Sequence, residues 1–337
     1  MTHTHISNFE IRSRPIAILV LALVCSGAVV PLAAQAQQSR VYRVGVILQG
    51  GAYSETVDGL RDGLREVGLE EGKQFILQVH DVKGNLKAVA AAARRLEEEK
   101  VDLIYAVATS VALTVKQATR RVPIVFYAGT DPVTVGLVAS FRQPGGRLTG
   151  IHGQNTDLTA KRLEFLKEMI PGLRRVVTFY RADNPAAQES VKVARDATHR
   201  LKVVLMERLV ASVEELREAL RVLRPGEADA YIYVSDSMVG SQAELIIETA
   251  RAKKLPTMFS YKSNVAMGAL ASVGDSYYAI GRLSAKHVQR VLLGADPGTL
   301  PVEQLDRPEF VINLKTAKAL GLKIPQSVLV RADEVIQ

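Results

Sequence analysis

Apolar residues along this chain fall into two alternating patterns: short continuous runs, and longer segments where they recur every three or four positions. Val41 to Leu48 is a run of the first kind, followed by Val57, Leu60, Leu64 and Val67 at helical spacing. Phe75 to Val79 and the stripe Leu86, Val89, Ala93 and Leu96 repeat the pair. Asp102 to Val107 and Val122 to Tyr127 then supply two runs too short for helices and apolar on both faces, as buried parallel strands are. The alternation resumes after Gly153. Leu158 to Ile170 reads as a helix, Val176 to Tyr180 as a strand, Ala186 to Arg200 as a helix and Val203 to Met206 as a strand. Ser212-Val213-Glu214-Glu215 forms a capping box opening a helix with Val213, Leu216, Leu220 and Leu223 on one face. Ala230 to Val234, Ala243 to Ala250 and Thr257 to Ser260 continue the series.

Strand, crossover helix and parallel strand in succession is the βαβ signal, and here it is written twice. The expected fold class is therefore α/β, with two Rossmann-like lobes built on parallel sheets. Gly150 to Thr156 is brief and polar, as a hinge between them would be. Ala269 to Val273 and the helix Ile280 to Leu293 are expected to return to the first lobe, and Pro297 to Pro308 to cross again before a strand at Phe310 to Asn313. That gives a first lobe of residues 37–153 plus about 268–296, and a second of 154–267 plus about 297–337.

In such sheets ligands bind outside the carboxyl ends of the strands, where helix N-termini present unpaired N–H groups. Ala108-Thr109-Ser110 and Ala128-Gly129-Thr130-Asp131 stand at two adjacent strand ends. Each hydroxyl or carboxylate there has an alternative role as a helix cap. Tyr105, Tyr127, Tyr180, Tyr233 and Tyr261 all fall at or near the ends of predicted strands; each suits strand packing, and together they suggest an aromatic-lined cleft. Polar groups sit among them in Tyr53-Ser54, Asp183-Asn184 and Ser235-Asp236-Ser237. Asp236 reads equally as a helix cap or a ligand contact.

One block is more specific. Pro123-Ile124-Val125-Phe126, Asp131-Pro132-Val133, Gly136-Leu137-Val138, Pro144-Gly145-Gly146 and Thr149-Gly150 resemble the signature of a bacterial ABC-transporter substrate-binding family, the tryptophan/tyrosine type, with Arg147-Leu148 departing from its more usual Asn-Val. The resemblance runs in element order over nearly the whole chain after residue 36. It implies a type I periplasmic-binding-protein fold with a multi-crossing hinge and a small ligand held between lobes. It further implies ABC permease subunits as partners, transport as the role, no cofactor and a monomer. A sensing or ligand-presenting module of the same fold is the alternative. Amino-acid-binding relatives of this architecture place an acid of the second lobe near the ligand's ammonium, which favours Asp236 for that contact, with Asp131 second. Thr109, Ser110 and Thr130 would then receive a carboxylate near Ala128, while Tyr53, Tyr180 and Tyr261 flank an apolar or aromatic side chain, with Ser54 and Asn184 beside them.

The first 36 residues differ from the rest. Arg12 and Arg14 precede an uncharged run from Pro15 to Ala36 that ends in Ala34-Gln35-Ala36, the small-x-small pattern of a signal-peptidase site. A cleaved signal and a periplasmic protein are expected, an uncleaved anchor being the alternative. Cys25 is the single cysteine and lacks the upstream small residue of a lipoprotein site, so the mature chain carries no thiol, disulfide or lipid.

Charge and histidine content narrow the field further. The net charge is +8, yet Lys and Arg are scattered over helix faces without interleaved aromatics, which argues against nucleic acid. His80, His152, His199 and His287 are far apart, and no nucleophile elbow, phosphate loop or dinucleotide fingerprint is present, so neither a metal site nor an enzyme is expected.

Overall fold

The computed structural model describes residues 40–305 and 307–337; the expected signal and its cleavage site lie outside them. The first lobe begins with β1 (Tyr42–Leu48), a single 3-10 turn at Gly51–Ser54, α1 (Glu55–Glu66), β2 (Phe75–Asp81) and α2 (Leu86–Glu98). It continues through β3 (Leu103–Val107), α3 (Thr109–Ala118), β4 (Ile124–Ala128) and β5 (Leu148–His152). The second lobe contains α4 (Leu158–Met169), β6 (Arg175–Tyr180), α5 (Pro185–Leu201), β7 (Val204–Leu209), α6 (Val213–Val222) and β8 (Ala230–Ile232). It goes on through α7 (Ser237–Ser241), α8 (Ala243–Ala252), β9 (Thr257–Phe259), α9 (Lys262–Ala266) and β10 (Ala271–Gly274). Then come α10 (Tyr277–Leu292), β11 (Glu303–Gln304), β12 (Glu309–Asn313), α11 (Leu314–Ala319), α12 (Gln326–Leu329) and β13 (Glu334–Ile336).

These strands make two sheets, in the orders β11-β5-β4-β3-β1-β2 and β13-β12-β10-β9-β8-β6-β7. The first is parallel throughout, and in the second only the β10–β12 pair is antiparallel. The two-lobe α/β class expected from the alternation is the class found. β3 and β4 are buried at every position, as central strands covered on both faces must be, whereas edge strand β7 has exposed Val204 and Leu209.

Two assignments near the carboxyl terminus need correction. Ala269 to Val273 was expected in the first lobe, but β10 there continues the second sheet, in register with β9 (Ala271 opposite Met258) and paired on its other side with β12. The third crossing falls within Pro297 to Pro308 as expected, but the residues up to β11, assigned above to the second lobe, still lie on the first. Thr149 Oγ1 donates to the Leu300 carbonyl at 2.8 Å, and β11 pairs with β5. The second crossing is therefore at Asp275-Ser276 and the third between β11 and β12. A strand's apolar pattern shows that it is buried, not which of two similar sheets it joins; that is decided by a partner far away in sequence.

Helix α10, having returned to the first lobe, packs on α1 with the two backbones almost touching. A Cβ on Gly59 would stand 2.0 Å from the Tyr278 carbonyl oxygen, and one on Gly281 2.0 Å from that of Thr56. No side chain fits at either position, and the contact holds α10 against the sheet that carries the first half of the site.

Candidate ligand-binding site

The carboxyl ends of β1, β3 and β4 in one lobe face those of β6, β8 and β9 in the other. Between them lies a small cavity of about 20 Å³, lined by side chains from both lobes and from the first crossing. The first lobe contributes Tyr53 from the 3-10 turn, Ala108, Thr109 and Ser110 from the β3–α3 junction, Tyr127 from the end of β4, and Gly129. Asn155 comes from the first crossing. Asn184, Ala186, Tyr233, Ser235, Ser237 and Tyr261 complete it from the second lobe.

Four of its lining residues are tyrosines, and Tyr277, outside the lining, packs against three of them. Tyr261 stacks on Tyr277 with centroids 3.8 Å apart, Tyr53 lies 4.7 Å from Tyr277, Tyr127 meets Tyr277 edge-on at 5.9 Å, and Tyr233 is 6.4 Å from Tyr261. Burial pushes all five phenols well above their ordinary pKa, so at neutral pH they are uncharged hydroxyls. None of the lining side chains carries a formal charge. The cage offers aromatic area plus neutral donors and acceptors, the combination that suits an organic guest with a flat side chain.

At one wall α3 starts without a side-chain cap, and its first residues, Thr109 and Ser110, line the cavity at the positive end of the helix dipole. The preceding residue, Ala108, has φ 102° and ψ 150°, a conformation ordinarily restricted to glycine, which stores strain at the cage wall. Ser110 Oγ and Ser237 Oγ are 2.6 Å apart and tie the lobes directly across the cleft.

Asn155 is held from behind by Arg162. The fully buried guanidinium donates to the Asn155 carbonyl (2.6 Å) and Oδ1 (3.1 Å), to Thr159 Oγ1 (2.8 Å) and to the Val273 carbonyl (3.0 Å). With Oδ1 occupied, the Asn155 amide nitrogen is turned to the Tyr261 hydroxyl. Desolvation lowers the Arg162 pKa to about 10, which leaves it charged at neutral pH.

Of the residues expected from the sequence to contact the ligand, Tyr53, Thr109, Ser110, Asn184 and Tyr261 line the cavity. Ser54, Ala128, Thr130, Asp131, Tyr180 and Asp236 do not. Ser54 is exposed, its hydroxyl donating to the Gly51 carbonyl, because the 3-10 turn points Tyr53 inward and its neighbour out. Ala128 is interior, and its carbonyl accepts the Gly153 N–H. Thr130 is buried outside the lining. Asp131 turns away to cap its own turn, accepting from the Val133 and Thr134 N–H groups. Tyr180 donates its hydroxyl to Glu207 on β7, which Arg195 also holds.

Asp236, the preferred partner for an ammonium group, is an N-cap. Its Oδ1 accepts from Met238 and Val239 N–H and its Oδ2 from Arg181 N–H and Asn184 Nδ2, all at 2.9–3.1 Å, so both oxygens are already occupied. Tyr127 and Tyr233, named above for an aromatic-lined cleft but not among the rings expected to flank the ligand, both line the cavity, whereas Tyr180 does not. Sequence reasoning missed Asn155, whose one signal was an amide in the predicted hinge.

A larger polar groove of about 860 Å³ opens beside the cage, bordered by Gln49, Lys83, Arg181 and Glu214 among others. It lacks aromatic walls. Among the described residues no three metal-ligating side chains converge, and no helix is long and apolar enough to cross a membrane.

Residues 42–336 match the family described as ABC transporter substrate binding protein. This chain belongs to that family. Among its relatives is a tyrosine-binding protein of Clostridioides difficile, 28% identical over 267 residues, which are 79% of this chain and 76% of that protein. Two solved structures share the fold of this substrate-binding chain over 88% of its length and the whole of theirs. One is a conserved domain protein of Vibrio cholerae, 30% identical with a TM-score of 0.81; the other is an ABC domain from Streptococcus pneumonia in complex with L-Trp, 26% identical with a TM-score of 0.80.

Proposed function

We propose that this protein is the periplasmic substrate-binding component of an ABC importer and that its cargo is a free amino acid with an aromatic side chain. The observation that carries the reading is the uncharged tyrosine cage, shared between two lobes and edged by the uncapped start of α3. The tyrosine-binding relative and the L-Trp complex point to the same chemistry.

In this reading an aromatic side chain parts the rings of Tyr53, Tyr261 and Tyr277 and takes the place they now fill with one another. The ligand carboxylate is received by the N–H groups at Thr109 and Ser110, where the helix dipole favours an anion. Asn155 and Asn184 are placed to orient the guest from the hinge and the second lobe. The cavity of about 20 Å³ holds no more than one water, so entry requires the lobes to separate and capture requires them to close. The ligand favours closure because only the closed form brings contacts from both lobes to bear. Permease subunits would then recognise that form.

Isothermal calorimetry on protein unfolded and refolded to strip carried-over ligand tests this. L-tyrosine or L-tryptophan is expected to bind with a Kd of about 1 μM or tighter, near −8 kcal/mol, and L-alanine far more weakly. Equal affinity for all three would sink the aromatic assignment.

A further inference from the structure

With Asp236 committed to its helix cap, the acid beside the cage is Asp275, at the second crossing between β10 and α10. It is 1% exposed. Oδ2 accepts from the Gln154 N–H of the first crossing at 3.2 Å and from the Tyr127 hydroxyl at a long 3.5 Å, while Oδ1 is buried with no hydrogen-bond partner. Arg162, the nearby cation, directs its two terminal nitrogens to Asn155, Thr159 and Val273, while its buried Nε has no hydrogen-bond partner. A buried carboxylate with a free oxygen and no ion pair is costly unless something cationic completes it. Desolvation accordingly raises its pKa to about 6 in spite of Arg162.

We propose that Asp275 receives the ligand's ammonium group and so selects amino acids over their deaminated analogues. The assignment rests on the amino-acid reading above. Tyr127 links the two ends of the guest. Its carbonyl accepts the Ala108 N–H where α3 begins, at 3.2 Å, and its hydroxyl, at the cage edge, reaches Asp275. Parting the stacked rings of Tyr261 and Tyr277, which border Asp275 on its other side, brings an ammonium within reach of Oδ1. Three N–H donors and a positive charge satisfy the carboxylate, and the zwitterion lies with its anion at α3 and its cation at the hinge. Because Asp275 already holds the Gln154 N–H, the same contact joins both crossings through the ligand and makes the hinge geometry sensitive to occupancy.

The test is calorimetry at pH 7.5 with L-tyrosine and with 3-(4-hydroxyphenyl)propanoate, which differs only in lacking the amino group, on wild type, Asp275→Asn and Asp236→Asn. Wild type is expected to prefer L-tyrosine, and Asp275→Asn to lose on the order of 30-fold or more in affinity for it while holding the propanoate as wild type does. That retained binding also shows the variant to be folded. Asp236→Asn is expected to move both ligands together, through the cap. If Asp275→Asn weakens both ligands equally, or binds L-tyrosine as wild type does, Asp275 is not the ammonium partner and the aromatic amino-acid reading still stands. Equal wild-type affinity for the two ligands overturns the assignment without any variant. Wild type with no affinity for any amino acid overturns both.

Discussion

Asp275 and Ala108 show at the residue scale how a binding site departs from what is best for stability. Ala108 sits in a glycine conformation at the cavity wall where α3 begins. Asp275 keeps a buried oxygen unpaired at the hinge. The acid's effect on stability has a defined sign. Its folded pKa of about 6 exceeds the ordinary 3.8, so its favourable contribution is complete below about pH 4 and is lost as pH rises through about 6. A shift of about two units corresponds to roughly 3 kcal/mol. Urea denaturation of wild type and Asp275→Asn from pH 4 to 7.5 is therefore expected to show the variant gaining on wild type by about that amount, with the change centred between pH 4 and 6. Parallel stability profiles would mean that the carboxyl is better solvated than its burial implies.

The α1–α10 contact matters most at the scale of elements. Gly59 and Gly281 let two helices approach until backbone meets backbone, and α10 is the element that begins at the second crossing. Replacing Gly59 by Ala would drive a methyl group to 2.0 Å from the Tyr278 carbonyl oxygen and force the helices apart. The expected cost is about 1–3 kcal/mol of stability, despite alanine's better helix propensity. Thermal unfolding of Gly59→Ala checks this, and a melting temperature equal to or above that of wild type would show that α10 yields without cost. Tyr277 opens α10 and stacks in the cage, so the same variant is also expected to weaken ligand binding.

For the whole molecule, three crossings join lobes whose contacts across the cleft include the Ser110–Ser237 hydrogen bond and the tyrosine stack. Both lie where a guest must enter. The ligand-stripped protein is therefore expected to populate a more open form, with a larger radius of gyration by small-angle scattering that shrinks when L-tyrosine or L-tryptophan saturates it. An unchanged radius under demonstrated saturation would exclude lobe closure as the response.

Much of this was legible from local pattern. Buried parallel strands are continuously apolar, amphipathic helices repeat at 3.6 residues, and the alternation of the two determines an α/β fold; the runs at β3 and β4 and the stripes of α1 and α2 follow directly. Tyr53, Thr109, Ser110, Asn184 and Tyr261, which line the cavity, were legible because strand ends in such sheets border the inter-lobe crevice. Tertiary structure decided the rest. Whether β10 joins the first or second sheet depends on β9 and β12, which no local periodicity encodes. Asp236 and Asp275 look alike as letters, each an acid beside a predicted strand end. One finds four donors within its own lobe and becomes a cap, while the other is stranded between two crossings with an oxygen unpaired. A carboxylate's role is set by the number of donors within about 3 Å of it, and those donors converge only when distant segments fold together.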